Sequence, residues 1–489
     1  MLNIQKQLTN SFYALLSLPA TAMGFALSVQ IAALSWLLST KYGLEIHDVG
    51  LVWAAGPIAG IVGQVLIGFI SDQVWFMGGR RKPFIFIGGF LAALMLLALP
   101  NIDIISGALG MDGILGVAIA VALTLDLSIN VSFNPTRSII ADLTPEGQER
   151  TKGYTWMQTI SGTFGVLAYV ISVWLGNYTL IYFGAALVFF LSVIPPLFIE
   201  ESRDLVVASE AEPASSPAFS LGDTLRSILP LWGFLLYGIY GIVAKLLHYE
   251  PAHFYVEYLC LGLSIGLIAY TLLQRESGRS VEVASRIGFQ KILAAHSFTW
   301  LGVQTMFVYM FAYLQDKYQD MSADDLGEGI SIAFLILNAV AAVLPALLLE
   351  PIALRQGRVR THTFCLAAMT LGYLGILYYG ADSLLSINLM MAVVGVGWAA
   401  TVSLPFAIMS QKVDKTQMGL YMGLFNLSVV LPQLVASLGI GELISRAPDK
   451  NVIFMVCAGS LLISTLSWSL VKESEGAEEV ALTGGGGGH

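Results

Sequence analysis

The sequence predicts an all-α polytopic membrane protein. Two six-helix bundles are separated along the chain by an additional two-helix hairpin, making fourteen spans. Three observations carry this. Charged residues make up only 12% of the 489 and hydrophobic ones 56%, against about 25% and about 45–50% in soluble domains. Apolar stretches of the ~20 residues needed to cross ~30 Å of hydrocarbon recur from end to end. Basic residues gather on alternate sides of those stretches. Too little polar surface remains to coat a water-soluble body of this size, which excludes a cytosolic enzyme, a secreted disulfide scaffold and a nucleic-acid binder.

The first six spans lie near 15–39, 48–71, 83–101, 112–136, 154–176 and 179–199. The first is too long for a signal peptide and lacks a small-residue cleavage site after it. Residues 1–199 form the expected N-terminal bundle, followed by a linker at 200–226 that includes Glu-Ala-Glu-Pro-Ala-Ser-Ser-Pro and is acidic and poor in large apolar residues. Two apolar runs near 227–247 and 252–273 form the additional hairpin, expected to pack outside the twelve-helix core with Glu250 and Glu257 in water at its outer turn. A basic and polar connector occupies 274–292. The C-terminal bundle, 293–472, has spans near 293–315, 329–350, 361–381, 384–410, 418–441 and 451–471, and 473–489 is expected to be a disordered tail. The 49 glycines suit helices that must approach closely in lipid.

Most basic residues, among them Lys6, Arg80, Arg81, Lys82, Arg150, Arg203, Arg279, Arg358 and Lys412, fall on one side, while Lys41, Lys317, Arg446 and Lys450 fall on the other. Both termini are therefore expected in the cytoplasm. The acidic loop from Asp316 to Glu328 faces out, and with the tail acids it accounts for much of the net charge of −9. Cys260, Cys365 and Cys457 are far apart, without metal-ligand spacing or a disulfide framework, and read as inert core or lipid-facing residues. A fold of two helical bundles places its substrate site near the midplane, so function is sought among polar residues at that depth.

The sharpest of these is Asp126, near the centre of the span at 112–136. An acid there costs about 2.5–3.5 kcal/mol on insertion scales and marks an ion or substrate pathway. Desolvation favours the neutral acid, which suits the group to loading and releasing a proton. The plainer alternative is a hydrogen bond that packs helices together. Asn130 and Arg137 follow on the same stripe, Arg137 about 16 Å further along and near the inner mouth, where it can snorkel or pair across the bundle.

The loop after the second span runs Gly68-Phe-Ile-Ser-Asp72 to Gly79-Arg80-Arg81-Lys82-Pro83. A carboxylate at one helix end and cations at the next can latch two helices in one state and release them in the other. Asp72, Gly79, Arg80, Arg81 and, after the fourth span, Asp142 are the candidate cytoplasmic gate; simple charge anchoring is the alternative. A degenerate copy stands at Glu350 and Arg355-Gln-Gly357-Arg358.

Gln30, Gln64, Gln158, Gln304, Asn338, Asn426 and Gln433 lie at mid-span depth, accompanied by Trp36, Trp53, Trp156, Trp300, Tyr309 and Trp398. Amides donate to and accept from hydroxyls, and an aromatic face can cover the C–H face of a pyranose. As a set they suit a neutral polyhydroxylated solute, although each alone also reads as an interhelical hydrogen bond. Pro405 and Pro432 mark expected kinks. Walker, nucleophile-elbow and zinc-helix motifs are absent, so neither an enzyme nor a cofactor is expected. His248, His253 and His296 read as interfacial or capping residues.

At these residues the chain resembles the sucrose/proton symporter family, in the glycoside–cation symporter group of the major facilitator superfamily. Five stretches carry the likeness: Gly56-Pro57-Ile-Ala-Gly60 through Gln64 to Asp72; Gly79-Arg-Arg-Lys-Pro-Phe-Ile85; Leu125-Asp126-Leu-Ser-Ile-Asn130 through Arg137 to Asp142-Leu143; Ser403-Leu-Pro405-Phe-Ala; and Gly419 through Gly423 and Asn426 to Pro432-Gln433. The resemblance implies a major facilitator fold, with Asp126 as the proton-binding carboxylate that also contacts sugar and Arg137 as that helix's essential arginine. Plant members carry paired aspartates followed by Arg-Glu in the seventh helix. The equivalent stretch here, 303–314, has Gln304 and Tyr309 and no acid before Asp316.

The expected function is import of a disaccharide or related glycoside by proton symport and alternating access. Asp126, Asn130, Arg137, Gln30, Gln64, Gln158, Gln304, Trp398, Asn426 and Gln433 are the expected substrate contacts. The expected partners are a sugar, H⁺ and the lipid bilayer, with no nucleic acid and no metal or other cofactor. The chain is expected to work as a monomer in the plasma (inner) membrane. A sodium-coupled symporter, a sugar exporter or, more remotely, a membrane sensor or scaffold are the alternatives.

Overall fold

A computed structural model describes residues 3–61, 70–71, 74–111, 113–145, 148–201, 221–247, 249, 253–413 and 418–473. Gln64, Asp72, His248 and Glu250 lie outside the described residues. The described chain is helical throughout, with one isolated β-bridge from Phe76 to Gly79. Its main helices are α1 (Asn10–Thr40), α2 (Ile46–Trp53), α3 (Lys82–Ala98), α4 (Leu115–Leu143) and α5 (Gln148–Phe198), then α6 (Trp232–Leu246), α7 (Tyr255–Leu273), α8 (Val281–Lys317) and α9 (Ala323–Leu344). The last four are α10 (Arg358–Tyr379), α11 (Leu384–Ser410), α12 (Met418–Val435) and α13 (Val452–Trp468).

Nine helices among the described residues are long and apolar enough to cross a membrane, and three shorter apolar helices accompany them. The expected spans 154–176 and 179–199 are the two arms of α5, which meet at a kink at Gly176, whose φ of 82° only glycine adopts without strain. Pro19, Pro135, Pro405 and Pro432 sit inside helices. Four residues beyond Pro432 the backbone widens into a π turn at Ala436–Ile440. The phenol of Tyr309 donates to the carbonyls of Ala436 and Ser437, at 3.2 and 3.1 Å, so this aromatic is a buried strut of that turn.

The chain divides into two compact units, Met1–Ser215 with Gln319–Leu335, and Ser216–Tyr318 with Ile336–His489. In the first, α1 packs along both arms of α5, while α3 lies against α4 and α5. The cap of α1 is Thr9, whose hydroxyl accepts from Phe12 N–H. In the second, α8 packs against α12 and α13, and α10 against α11 and α13. The α6–α7 pair leans on α12 and α8, and most of α7 is exposed, as a helix facing lipid would be. Glu257 departs from its expected place in water, being half-buried with one carboxylate oxygen enclosed. The three cysteines are free and buried.

Candidate functional site

In the first unit the site is built on α4. Asp126 is 4% exposed, and its Oδ2 accepts from Gln30 Nε2 on α1 at 3.1 Å. A neutral amide is its partner; among the described residues no cation lies within 4 Å of the carboxylate. Gly56 completes the enclosure, because a Cβ there would stand 3.5 Å from Oδ2, so the backbone itself walls the group. Asn130 folds back on its own helix and donates to the Asp126 carbonyl at 2.8 Å. Arg137 is exposed, with its guanidinium 4.2 Å from the centre of the Phe133 ring, and Tyr154 donates to its carbonyl. The helical rise already separates Asp126 from Arg137, and no ion pair joins them. Asn134 completes the stripe at i+8 from Asp126; the same periodicity that picked out Asn130 identifies it. Gln158 is exposed on α5, on one helix face with Thr155 and Thr159. The indoles of Trp36 and Trp53 are engaged by the protein: Trp36 donates to the Ala323 carbonyl at 2.8 Å and Trp53 to Ser35 Oγ at 2.9 Å.

The gate loop forms a charge cluster. Arg80 grips Asp142 with two bonds, Nη2 to Oδ1 at 2.7 Å and Nε to Oδ2 at 3.1 Å. Arg81 shares Oδ2 at 3.1 Å and donates to Ser71 Oγ at 2.6 Å. Both arginines are buried. The carboxylate of Glu201, just beyond α5, accepts from three successive backbone N–H groups at the start of α3: Arg80 at 2.9 Å, Arg81 at 3.0 Å and Lys82 at 2.8 Å. These are the orphan donors of a helix N-terminus, where an anion also meets the favourable end of the dipole. A Cβ at Gly79 would fall 2.4 Å from Glu201 Oε1, so a larger residue there has to displace the capping carboxylate.

The second unit repeats the device. Glu473, just beyond α13, accepts from Arg358 N–H at 2.9 Å and Val359 N–H at 3.0 Å, at the start of α10. Gly357 stands where Gly79 stands, with φ 95° and no room for a Cβ beside Glu473. The degenerate copy at Arg355-Gln-Gly357-Arg358 thus shares the backbone capping of the first, with Glu473 as its anion; the Glu350 side chain lies outside the described residues. Sequence reasoning missed Glu201 and Glu473. The available signal was an acid immediately after the last apolar run of each half.

The amide set of the second unit is also paired. Gln433 Nε2 donates to Gln304 Oε1 at 3.1 Å, and Trp398 Nε1 to Asn338 Oδ1 at 3.4 Å. Gln304 is buried; Asn338, Trp398, Asn426 and Gln433 are half-buried. His296 departs from the expectation of an interfacial residue: it is 2% exposed and accepts from Trp300. His253 is exposed. Among the described residues no group of three or more His, Cys, Asp or Glu could hold a metal ion.

A bundle of apolar helices with a carboxyl enclosed at mid-span and anion latches at helix ends has the features of a membrane transporter. The chain belongs to the major facilitator superfamily, whose family model, Major Facilitator Superfamily, matches residues 16–437. It is similar to sucrose transport protein SUC4 of Arabidopsis thaliana, 22% identical over 453 residues, 86% of this chain and 82% of that one. The general alpha-glucoside permease of Schizosaccharomyces pombe is 27% identical over 173 residues, 32% of this chain and 31% of that one. Among solved structures, the nucleoside transporter NupG superposes with a TM-score of 0.62 at 13% identity, covering 95% of this chain and all of the other. A peptide transporter POT in complex with sulfate also gives 0.62, at 15% identity over 96% of this chain and 95% of that one. These two likenesses concern the fold.

Proposed function

We propose that the protein imports a disaccharide or related glycoside of the sucrose/maltose class by proton symport and alternating access. One observation carries the reading. Asp126 is enclosed at mid-span with a neutral amide for a partner, so its charge is uncompensated whenever it is ionised, and the neutral acid is the form an apolar enclosure tolerates. Proton uptake at Asp126 permits sugar binding, and its release follows the inward transition. Arg137, stacked on Phe133 and with no ion pair among the described residues, remains able to meet a polar solute or the released charge. The names of the relatives, sucrose transport proteins and an alpha-glucoside permease, support a sugar, as does the chemistry of Gln30, Asn130, Gln158, Gln304, Trp398, Asn426 and Gln433, to which Gln64 is added from the sequence.

Asp142, Arg80, Arg81 and Gly79, with Asp72 from the sequence, form the cytoplasmic gate. The chain crosses the membrane fourteen times, counting both arms of α5 and the α6–α7 hairpin, keeps both termini in the cytoplasm, and works as a monomer in the plasma membrane. Its domains run 1–199, 200–226, 227–273, 274–292 and 293–472, followed by a tail at 473–489.

The test is uptake in energised vesicles. Asp126→Asn is expected to abolish accumulation against a gradient while leaving the protein folded, and replacing Na⁺ by K⁺ at constant pH is expected to leave wild-type uptake unchanged. A variant that still concentrates sugar overturns the assignment.

A further inference from the structure

His296 is a histidine where packing alone would favour an apolar residue. It lies in α8 and is 2% exposed, with its ring stacked on Phe425 at 4.8 Å and an interplanar angle of 15°. One turn on, Trp300 Nε1 donates to His296 Nε2 at 2.9 Å. An imidazole that accepts at Nε2 is neutral and carries its proton on Nδ1. That Nδ1 is enclosed and meets no hydrogen-bond partner among the described residues. An enclosed polar atom without a partner costs free energy that a purely packing side chain would avoid.

The held indole leads to a second one. Trp300 is half-buried and stands edge-to-face with Trp398 at 5.7 Å, and Trp398 stands edge-to-face with Phe307 at 5.4 Å. Each indole has a single polar atom. That of Trp300 is taken by His296 and that of Trp398 by Asn338. The two rings can therefore offer a ligand their π faces but no donor. Gln304, four residues after Trp300 on the same face of α8, supplies the nearby amide chemistry with Gln433.

We propose that His296 is a positioning residue: by accepting the Trp300 N–H it fixes that ring, with Trp398, as an apolar platform for the C–H face of a sugar ring. This rests on the glycoside reading above. The platform selects substrates by the apolar face of a pyranose, whereas hydroxyl recognition falls to the amides.

The experiment compares wild type, His296→Phe and His296→Gln. Ultraviolet resonance Raman of the purified protein, differenced against Trp300→Phe, reads the hydrogen-bonding state of the Trp300 N–H. The bonded signature is expected in wild type and His296→Gln and is expected to be lost in His296→Phe. In uptake assays the KM for the transported disaccharide is expected to rise about three- to tenfold in His296→Phe, with Vmax within about twofold. His296→Gln is expected to restore it, and His296→Phe to add nothing in a Trp300→Phe background. A bonded signature that persists in His296→Phe, an unmoved KM, or failure of the glutamine to restore it overturns the proposal. If His296→Phe does not fold, His296→Leu, which also removes the acceptor, takes its place in both assays. Wild-type protein that moves no disaccharide would sink the glycoside reading and the sugar platform with it, while the Raman comparison decides separately whether His296 holds the indole.

Discussion

Removing Glu201 and Glu473 separately should reveal two helix-end latches of unequal strength. Glu201 satisfies three backbone N–H groups at the start of α3, and Glu473 satisfies two at the start of α10. These helix ends are partly buried, so truncation leaves donors that water only partly recovers, at about 1 kcal/mol each. Glu201→Ala should therefore cost about 3 kcal/mol and Glu473→Ala about 2 kcal/mol. The glutamine variants keep an acceptor and lose the charge, at about 1 kcal/mol from the helix dipole and the weaker hydrogen bonds. Thermal unfolding of the purified protein in detergent, at low and high salt, reads the order: Glu201→Ala lowest, then Glu473→Ala, then the two glutamine variants. Equal stability of Glu201→Ala and wild type, or a reversed order, would refute the capping argument.

Gly357→Ala should lower stability by about 1 kcal/mol from the backbone alone, since its φ is 95°, and by more through the clash with Glu473; the same melting assay checks it against Gly459→Ala, where the space is open. The Gln304–Gln433 bond predicts a coupling of about 0.5–1.5 kcal/mol in a double-mutant cycle through leucine at each position, and additivity there would contradict it. Outside the membrane, the hydrogen bond from Lys317 holds the Asp449 carboxyl below the usual carboxylate range. A lowered native value means a stabilising contribution that is full above the unfolded value and fades as pH falls through the native one. The thermal midpoint of Asp449→Asn should therefore fall below wild type near neutral pH and converge with it in acid, by a small amount because the Asp449 carboxylate is exposed.

What the sequence made legible follows from how far each signal reaches. A charge inside an apolar run needs no partner to be noticed, so Asp126 and Arg137 stand out in one dimension. The bond from Gln30 to Asp126 joins residues 96 apart, and only the packing of α1 on α4 pairs them. Arg80, Arg81 and Asp142 were visible because two arginines beside glycine at a helix start need an anion nearby. Glu201 and Glu473 were not, because an acid beyond a span looks like any solvated linker residue until the end of one helix is placed against the start of another. The sequence places His296 at an interface because its apolar run begins only at 293. The helix begins at Val281, which puts the imidazole roughly four turns inside rather than at an interface. The boundary between the fifth and sixth spans was legible: the two expected helices meet at a kink where Gly176 leaves helical geometry.

Sugar-induced proton movement tests the account at its centre. In lightly buffered vesicles carrying the protein, addition of the transported disaccharide should alkalinise the external medium in wild type, as protons enter with the solute. Asp126→Asn should show no alkalinisation while still exchanging labelled for unlabelled sugar. Wild-type uptake without proton entry, or an unchanged proton signal in Asp126→Asn, would contradict it.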